Sequence, residues 1–148
     1  MPRKSHPKIS PTRVDTSSPF INPTDINPEQ RISFNLRRLI EKDEKFIYCT
    51  REAKYFISLV ERLKGLSDHT KKELVTNNSK SLRFHQIDFT DRSVTENSFG
   101  IIGEDIDDDA WQFTLSSNEH GRVHGYFVDE VFYVVWLDPD HQLYASVK

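Results

Sequence analysis

Cysteine is nearly absent from this sequence, with one residue, Cys49, among 148. A lone thiol excludes an intramolecular disulfide and any cysteine-pair zinc site, and it fits a reducing compartment. Glycine is scarce as well, five in all, and neither a glycine-rich phosphate loop nor a GxSxG elbow nor an HExxH pair occurs. The commoner nucleotide-binding, hydrolase and zinc-enzyme readings lose their motifs with them, and no cofactor or metal is expected. Long apolar runs are also missing. The first thirty residues carry charge, proline and serine without a signal-peptide core, and no later stretch approaches bilayer length. The expectation is a cytoplasmic protein with no membrane partner.

What the chain does have is aromatic side chains: ten Phe, five Tyr and two Trp. A domain of this size buries roughly 70% of the surface it exposes unfolded, so these rings can build a core without a staple. Charge is divided along the chain. Residues 1–87 carry a net +7, whereas residues 88–148 set three basic side chains against thirteen acidic ones. Either the halves neutralise each other across one fold, or each meets a different partner.

Six of the seven prolines stand at Pro2, Pro7, Pro11, Pro19, Pro23 and Pro28. They forbid a continuous helix or central strand, so residues 1–30 are expected to be a basic, flexible tail ahead of a single domain at 31–148. The near-repeat INPTD–INPEQ could lie as a strap anchored by Phe20, Ile21 and Ile26.

From Ile32 the pattern is globular. Ile32, Phe34 and Leu36 alternate as in a strand. Thr50 can cap a helix whose Tyr55, Phe56, Leu59, Val60, Leu63 and Leu66 form an apolar face, and Ser67 or Asp68 can cap a shorter one running to about Val75. Asn77-Asn78 should end that second helix. Strands are expected at Leu82–Phe89, with a bulge near His85, and at Ala110–Ser116, Arg122–Val128 and Val131–Leu137. Turns at Asn118–Gly121 and Asp129-Glu130 join the last three, and Phe99, Ile101 and Ile102 argue that part of the long Thr90–Asp109 connection packs. The fold class that follows is α+β, a helical hairpin on a mainly antiparallel twisted sheet.

Several polar groups are candidates for chemistry. On a strand, His120, Arg122, His124 and Tyr126 share one face and Val123 and Phe127 the other. An imidazole, a guanidinium and a phenol in a row can hold a phosphate and move a proton near neutral pH; equally, they can be the solvated face of a sheet. The closing segment WLDPDHQLY presents His141 and Tyr144 beside a proline turn. His85 sits with Asp88 three residues on, close enough in sequence for the carboxylate to orient it. Asp105, Asp107 and Asp109 copy the opening of a calcium loop, but its sixth and twelfth positions are Ala110 and Ser116 instead of glycine and glutamate, so a solvated loop is the better account.

The order strand, helical hairpin, meander, ending in RVHGYFVDEVFYVVWLDPDHQLY, resembles the RelE/ParE group of small toxins over Phe46–Tyr144. The resemblance implies a compact microbial-ribonuclease-like domain that cleaves messenger RNA without a metal, with RNA or the ribosome as target and an antitoxin as protein partner. Arg122 would match the phosphate clamp, and His124, His141, Tyr144 and His85 would be the proton-transfer candidates. The sequence departs from the family at Gln142, where a basic residue usually follows the histidine, and in its acidic second half. The competing expectation is a non-enzymatic acidic interaction protein: an inhibitor, a regulator or an accessory subunit.

Overall fold

The computed structural model describes residues 30–41, 45–76, 84–101, 106–116 and 119–145. Residues 1–29 of the expected tail, with all of its near-repeat but Gln30, the Asn77-Asn78 helix end, Leu82, Ile102, Glu104, Asp105 and Asn118 lie outside these residues. The elements are β1 (Ser33–Asn35), α1 (Ala53–Leu66), α2 (Lys71–Thr76), β2 (His85–Gln86), β3 (Ala110–Thr114), β4 (Arg122–Val128) and β5 (Val131–Asp138). A 3-10 turn at Asp107–Asp109 leads into β3. Among the described residues no helix is long and apolar enough to cross a membrane.

The five strands form one mixed sheet in the order β1-β5-β4-β3-β2, in which only β1 and β5 run parallel. The α+β class and the antiparallel meander β3-β4-β5 are as expected. The β4–β5 hairpin closes on the two-residue turn Asp129-Glu130, with Asp129 at φ 51°, a region that Asp tolerates better than most residues.

The sheet has an apolar cluster on each face. On one, Phe113, Val123, Phe127, Phe132, Val134 and Leu137 meet Tyr55 and Leu66 of α1 and Leu74 of α2. On the other, Ala110, Tyr126, Val135 and Trp136 meet Phe46, Ile87, Val94, Phe99, Ile106 and Leu143. Two-sided burial corrects the expectation of one polar, solvated face. It also explains the broken alternation at β2. Phe84 belongs to the first cluster and Ile87 to the second, so their change of phase fills two cores, and the β2–β3 pairing runs without a shift. The irregularity lies instead in the β4–β5 ladder between His124 and Gly125, where β5 carries one extra residue and both Val135 and Trp136 turn to the second face.

Local signals needed smaller corrections. Helix α1 starts after Glu52, not at a Thr50 cap, and Glu52 makes no side-chain capping bond. Helix α2 is capped by Thr70, not by Ser67 or Asp68: its hydroxyl accepts the Glu73 N–H at 3.2 Å and donates to the Glu73 carboxylate at 3.3 Å. Val60, expected in the apolar face, is 63% exposed, because that face runs through Phe56, Leu59, Leu63 and Leu66 and leaves Val60 on its flank. Of the strand expected over Leu82–Phe89, the described residues 84–89 include two in the paired strand, His85 and Gln86, both exposed.

Candidate functional site

The site is built where β4 begins and β5 ends. Arg122 pairs with Asp138 across the ladder and His124 with Trp136, so Arg122, His124 and Asp138 share the face of the second cluster. His124 and Asp138 are both fully buried, and the imidazole Nε2 meets the Asp138 Oδ2 at 2.9 Å. Asp138 accepts two further bonds, from the Gln142 N–H at 2.7 Å and the Leu143 N–H at 3.0 Å. One carboxylate therefore holds β4 and ties down the turn that carries His141. The histidine's other nitrogen, Nδ1, is buried without a hydrogen-bond partner.

The protonation states follow from this geometry. Burial lowers the His124 pKa, and the Asp138 charge only partly opposes it. A proton on Nδ1 would be a buried cationic donor with nothing to receive it, so the ring is neutral and donates through Nε2. Burial pushes the Asp138 carboxyl upward, but the bonds from His124, Gln142 and Leu143 outweigh it and the net shift is downward. The side chains of the pair are locked among rings: Phe46 stacks on Trp136 at 4.7 Å, and both lie edge-on to His124 at 6.1 and 6.3 Å.

His141 and Tyr144 reach the same end from the closing segment. His141 is exposed, takes a left-handed backbone at φ 53°, and its ring stacks on Tyr144 at 6.1 Å. Partial burial lowers its pKa, and the nearby Arg122 charge adds to that against the pull of Asp138. The Tyr144 hydroxyl accepts a bond from Gln112 at 2.9 Å, and Gln112 stands opposite His124 on β3. Burial raises the Tyr144 pKa, so the phenol stays protonated. The segment is fixed by the Val94–Tyr144 bridge and by Thr95 N–H to Leu143 C=O at 2.7 Å.

The structure thus gathers Arg122, His124, His141 and Tyr144 at one end of the sheet, but with unequal access. Arg122, His141 and Tyr144 reach solvent, whereas His124 is sealed. His85 faces Gln112 across β2–β3 in the same cross-sheet row and is exposed. Asp88 does not orient it, because its Oδ1 accepts the Thr90 N–H and hydroxyl at 2.9 and 2.6 Å. His120, at φ 66°, leaves the row and sets its ring against Tyr55 at 5.6 Å. Gly121 allows the β3–β4 turn to close on the end of β5, since a Cβ there would fall 1.9 Å from the Asp138 carbonyl oxygen.

Two clefts flank the Asp138 turn. One of about 250 Å³ is lined by Phe46, Ile47, Thr50, Arg51, Asp138, Pro139, Asp140 and Gln142, and not by His141; the other, of about 310 Å³, by Thr50, Arg51, Glu52, Lys54, Tyr55 and His120. Arg51 joins them, its guanidinium 2.5 Å from Asp140. A third cleft of about 410 Å³, lined by Asp88, Thr90, Asn97, Asp107 and Asp108 among others, lies in the acidic region. Among the described residues no group of three or more His, Cys, Asp or Glu is arranged to hold a metal.

Sequence reasoning missed Asp138, Arg51 and the exposed end of α1. A carboxylate closing an apolar strand before Pro139 was a usable signal for a buried, partnered Asp; nothing in the sequence marked Arg51. The chain matches no family model, no curated protein and no solved structure. The RelE/ParE likeness therefore rests on the layout of the sequence.

Proposed function

We propose that this protein is an RNA-acting domain of the small-toxin type, in which Arg122 and His141 work on the phosphodiester and the buried His124–Asp138 pair holds their frame. The observation that supports the reading is one of placement: Arg122 at the start of β4 pairs with Asp138 at the end of β5, and the same Asp138 ties down the turn that carries His141. A neutral imidazole can take the 2′-hydroxyl proton, and a guanidinium can stabilise the crowded phosphate. Tyr144, stacked on His141, orients the ring and keeps its own proton for the leaving oxygen. His124 serves as a positioning residue.

Charge at this end is mixed: Arg51, Lys54 and Arg122 stand with Glu52, Asp138 and Asp140, and Arg51 is paired with Asp140, while Asp88, Asp107 and Asp108 line a different cleft. The test is RNA cleavage by the purified protein and growth arrest on overproduction. Arg122→Ala and His141→Ala should each lower cleavage about a hundredfold with the thermal midpoint little changed. Activity should fall as pH drops through the His141 pKa, on the acid side of the usual histidine value of about 6.5. Wild-type protein that leaves RNA intact and cells growing refutes the reading.

A second reading, a protein-binding inhibitor or regulator, is favoured by the acid-lined cleft. It expects a salt-sensitive complex with a basic protein that Asp88→Asn combined with Asp108→Asn weakens.

A further inference from the structure

Helix α1 has two apolar sides, and the fold covers one of them. Phe56, Leu59, Leu63 and Leu66 pack into the first cluster. Ile57 and Val60 are 58% and 63% exposed, and Ala53, Lys54, Glu61 and Lys64 are exposed with them. At 3.6 residues per turn Ala53, Ile57, Val60 and Lys64 fall within about 60° of arc, centred about 110° from the core-facing residues. Arg62, nearly opposite this stripe on the helix, reaches β3, its Nε donating to the Thr114 carbonyl at 2.9 Å, so the stripe looks away from β3.

The pattern of the stripe separates it from chance exposure. Single apolar side chains on a surface need no explanation. Here they recur at the four- and three-residue steps of a heptad seam, with Ala53 and Val60 at its d positions and Ile57 and Lys64 at its a positions. Ile and Val are poorer helix formers than the Lys, Glu or Ala common at solvent positions, and these two add nothing to the core. Lys64 fits a seam through the apolar stem beneath its ammonium.

Charge beside the seam selects its occupant. Lys54 and Glu61 take successive e positions on the same flank, and among the described residues neither has an ion-pair partner. Two copies of the seam laid antiparallel about a two-fold axis set Ile57 against Val60 of the second copy and Ala53 against its Lys64. That register brings each Lys54 beside the Glu61 of the other copy, two opposite-charge pairs by symmetry. A parallel pair would need the flank at Phe56 and Leu63, which the domain's own core already occupies. We propose that this chain pairs with a second copy of itself through the exposed α1 seam, in an antiparallel two-fold arrangement. The seam is short, about 17 Å from Ala53 to Lys64, so the dimer is weak and forms at about 100 µM. It requires nothing of Arg122 or His141 and stands whether or not RNA cleavage does.

The experiment is sedimentation equilibrium of the full chain at low ionic strength up to about 1 mM, with the thermal midpoint of each variant read on dilute protein. The wild-type chain should pass from monomer to dimer mass as concentration rises. Val60→Lys, at an exposed position, should abolish dimerisation and leave the midpoint unchanged. Lys54→Glu and Glu61→Lys should each weaken association about tenfold by setting like charges together, and the double variant should recover wild-type affinity. Recovery reports the antiparallel register, because a patch without a fixed register would not respond to the exchange. A chain that stays monomeric to about 1 mM overturns the proposal. So does a dimer that survives Val60→Lys, or a double variant that associates as weakly as the two single ones.

Discussion

Replacing Asp138 by alanine should be among the most damaging single changes to this domain. The carboxylate receives three hydrogen bonds, from the His124 Nε2–H and from the backbone N–H groups of Gln142 and Leu143, and it does so at zero exposure. Alanine leaves three donors without this acceptor, those of His124 and Leu143 buried and that of Gln142 part-buried, and the His124 ring then has no partner at either nitrogen. Removing one member of a buried pair of this kind costs about 3–5 kcal/mol, against a total stability of about 5–15 kcal/mol for a domain. With a urea m-value of about 2 kcal/mol/M, the unfolding midpoint should fall by about 2 M. Asp138→Asn keeps an acceptor oxygen for one donor and should cost less.

The wild-type pH dependence follows from the same pair. The folded-state pKa values of both His124 and Asp138 lie below their unfolded values, so the unfolded chain binds more protons in each window and stability rises with pH. Stability should begin to drop as pH falls below about 6.5, where unfolded histidine protonates, and drop again below about 3.9 as the unfolded carboxyl does. The measurement is urea unfolding of wild-type, Asp138→Asn and Asp138→Ala proteins between pH 4 and 8. A loss of less than about 1 kcal/mol in Asp138→Ala, or a flat wild-type profile between pH 7 and 5, would show that the pair does not hold this end of the sheet together.

Two further changes test the frame around the site. Gly125→Ala should destabilise by about 3 kcal/mol or more in the same unfolding assay, because a Cβ there would sit 2.0 Å from the Tyr133 carbonyl oxygen and 2.7 Å from the Phe132 ring, beside the irregular step of the ladder. Thr70→Ala removes the α2 cap and should cost about 1 kcal/mol, seen as a small shift in midpoint in the same unfolding assay.

Much of the scaffold was legible in the residues alone. The 3.6-residue spacing from Tyr55 to Leu66, the two-residue turn at Asp129-Glu130 and the strand-length apolar runs on either side of it depend on neighbours in sequence, and α1 and the β4–β5 hairpin stand where those patterns place them. The α+β class follows from their order. The polar row from Arg122 to Tyr126 was equally visible as a shared face. Its environment was not, because burial depends on what lies across the sheet. The residues that cover this face are Phe46, Ile87, Phe99, Ile106 and Leu143, up to 97 positions apart in the chain. The clue available was β5 itself, VFYVVWL, apolar on both faces and hence covered on both.

The partner of His124 likewise depended on long-range register. One extra residue in β5 opposite the His124–Gly125 step sets which side chains turn to the second face, and with it Asp138 comes to face His124 and Arg122. Composition, periodicity and turn residues determined the class, the hairpin and the candidate groups, since each is a matter of local conformational preference. Tertiary structure alone decided which histidine is sealed and which is open, that an unremarked aspartate holds them, and that Arg51 and Tyr55 share a cleft. Those outcomes come from non-local packing and from the free energy of moving charge out of water, and no local pattern encodes either.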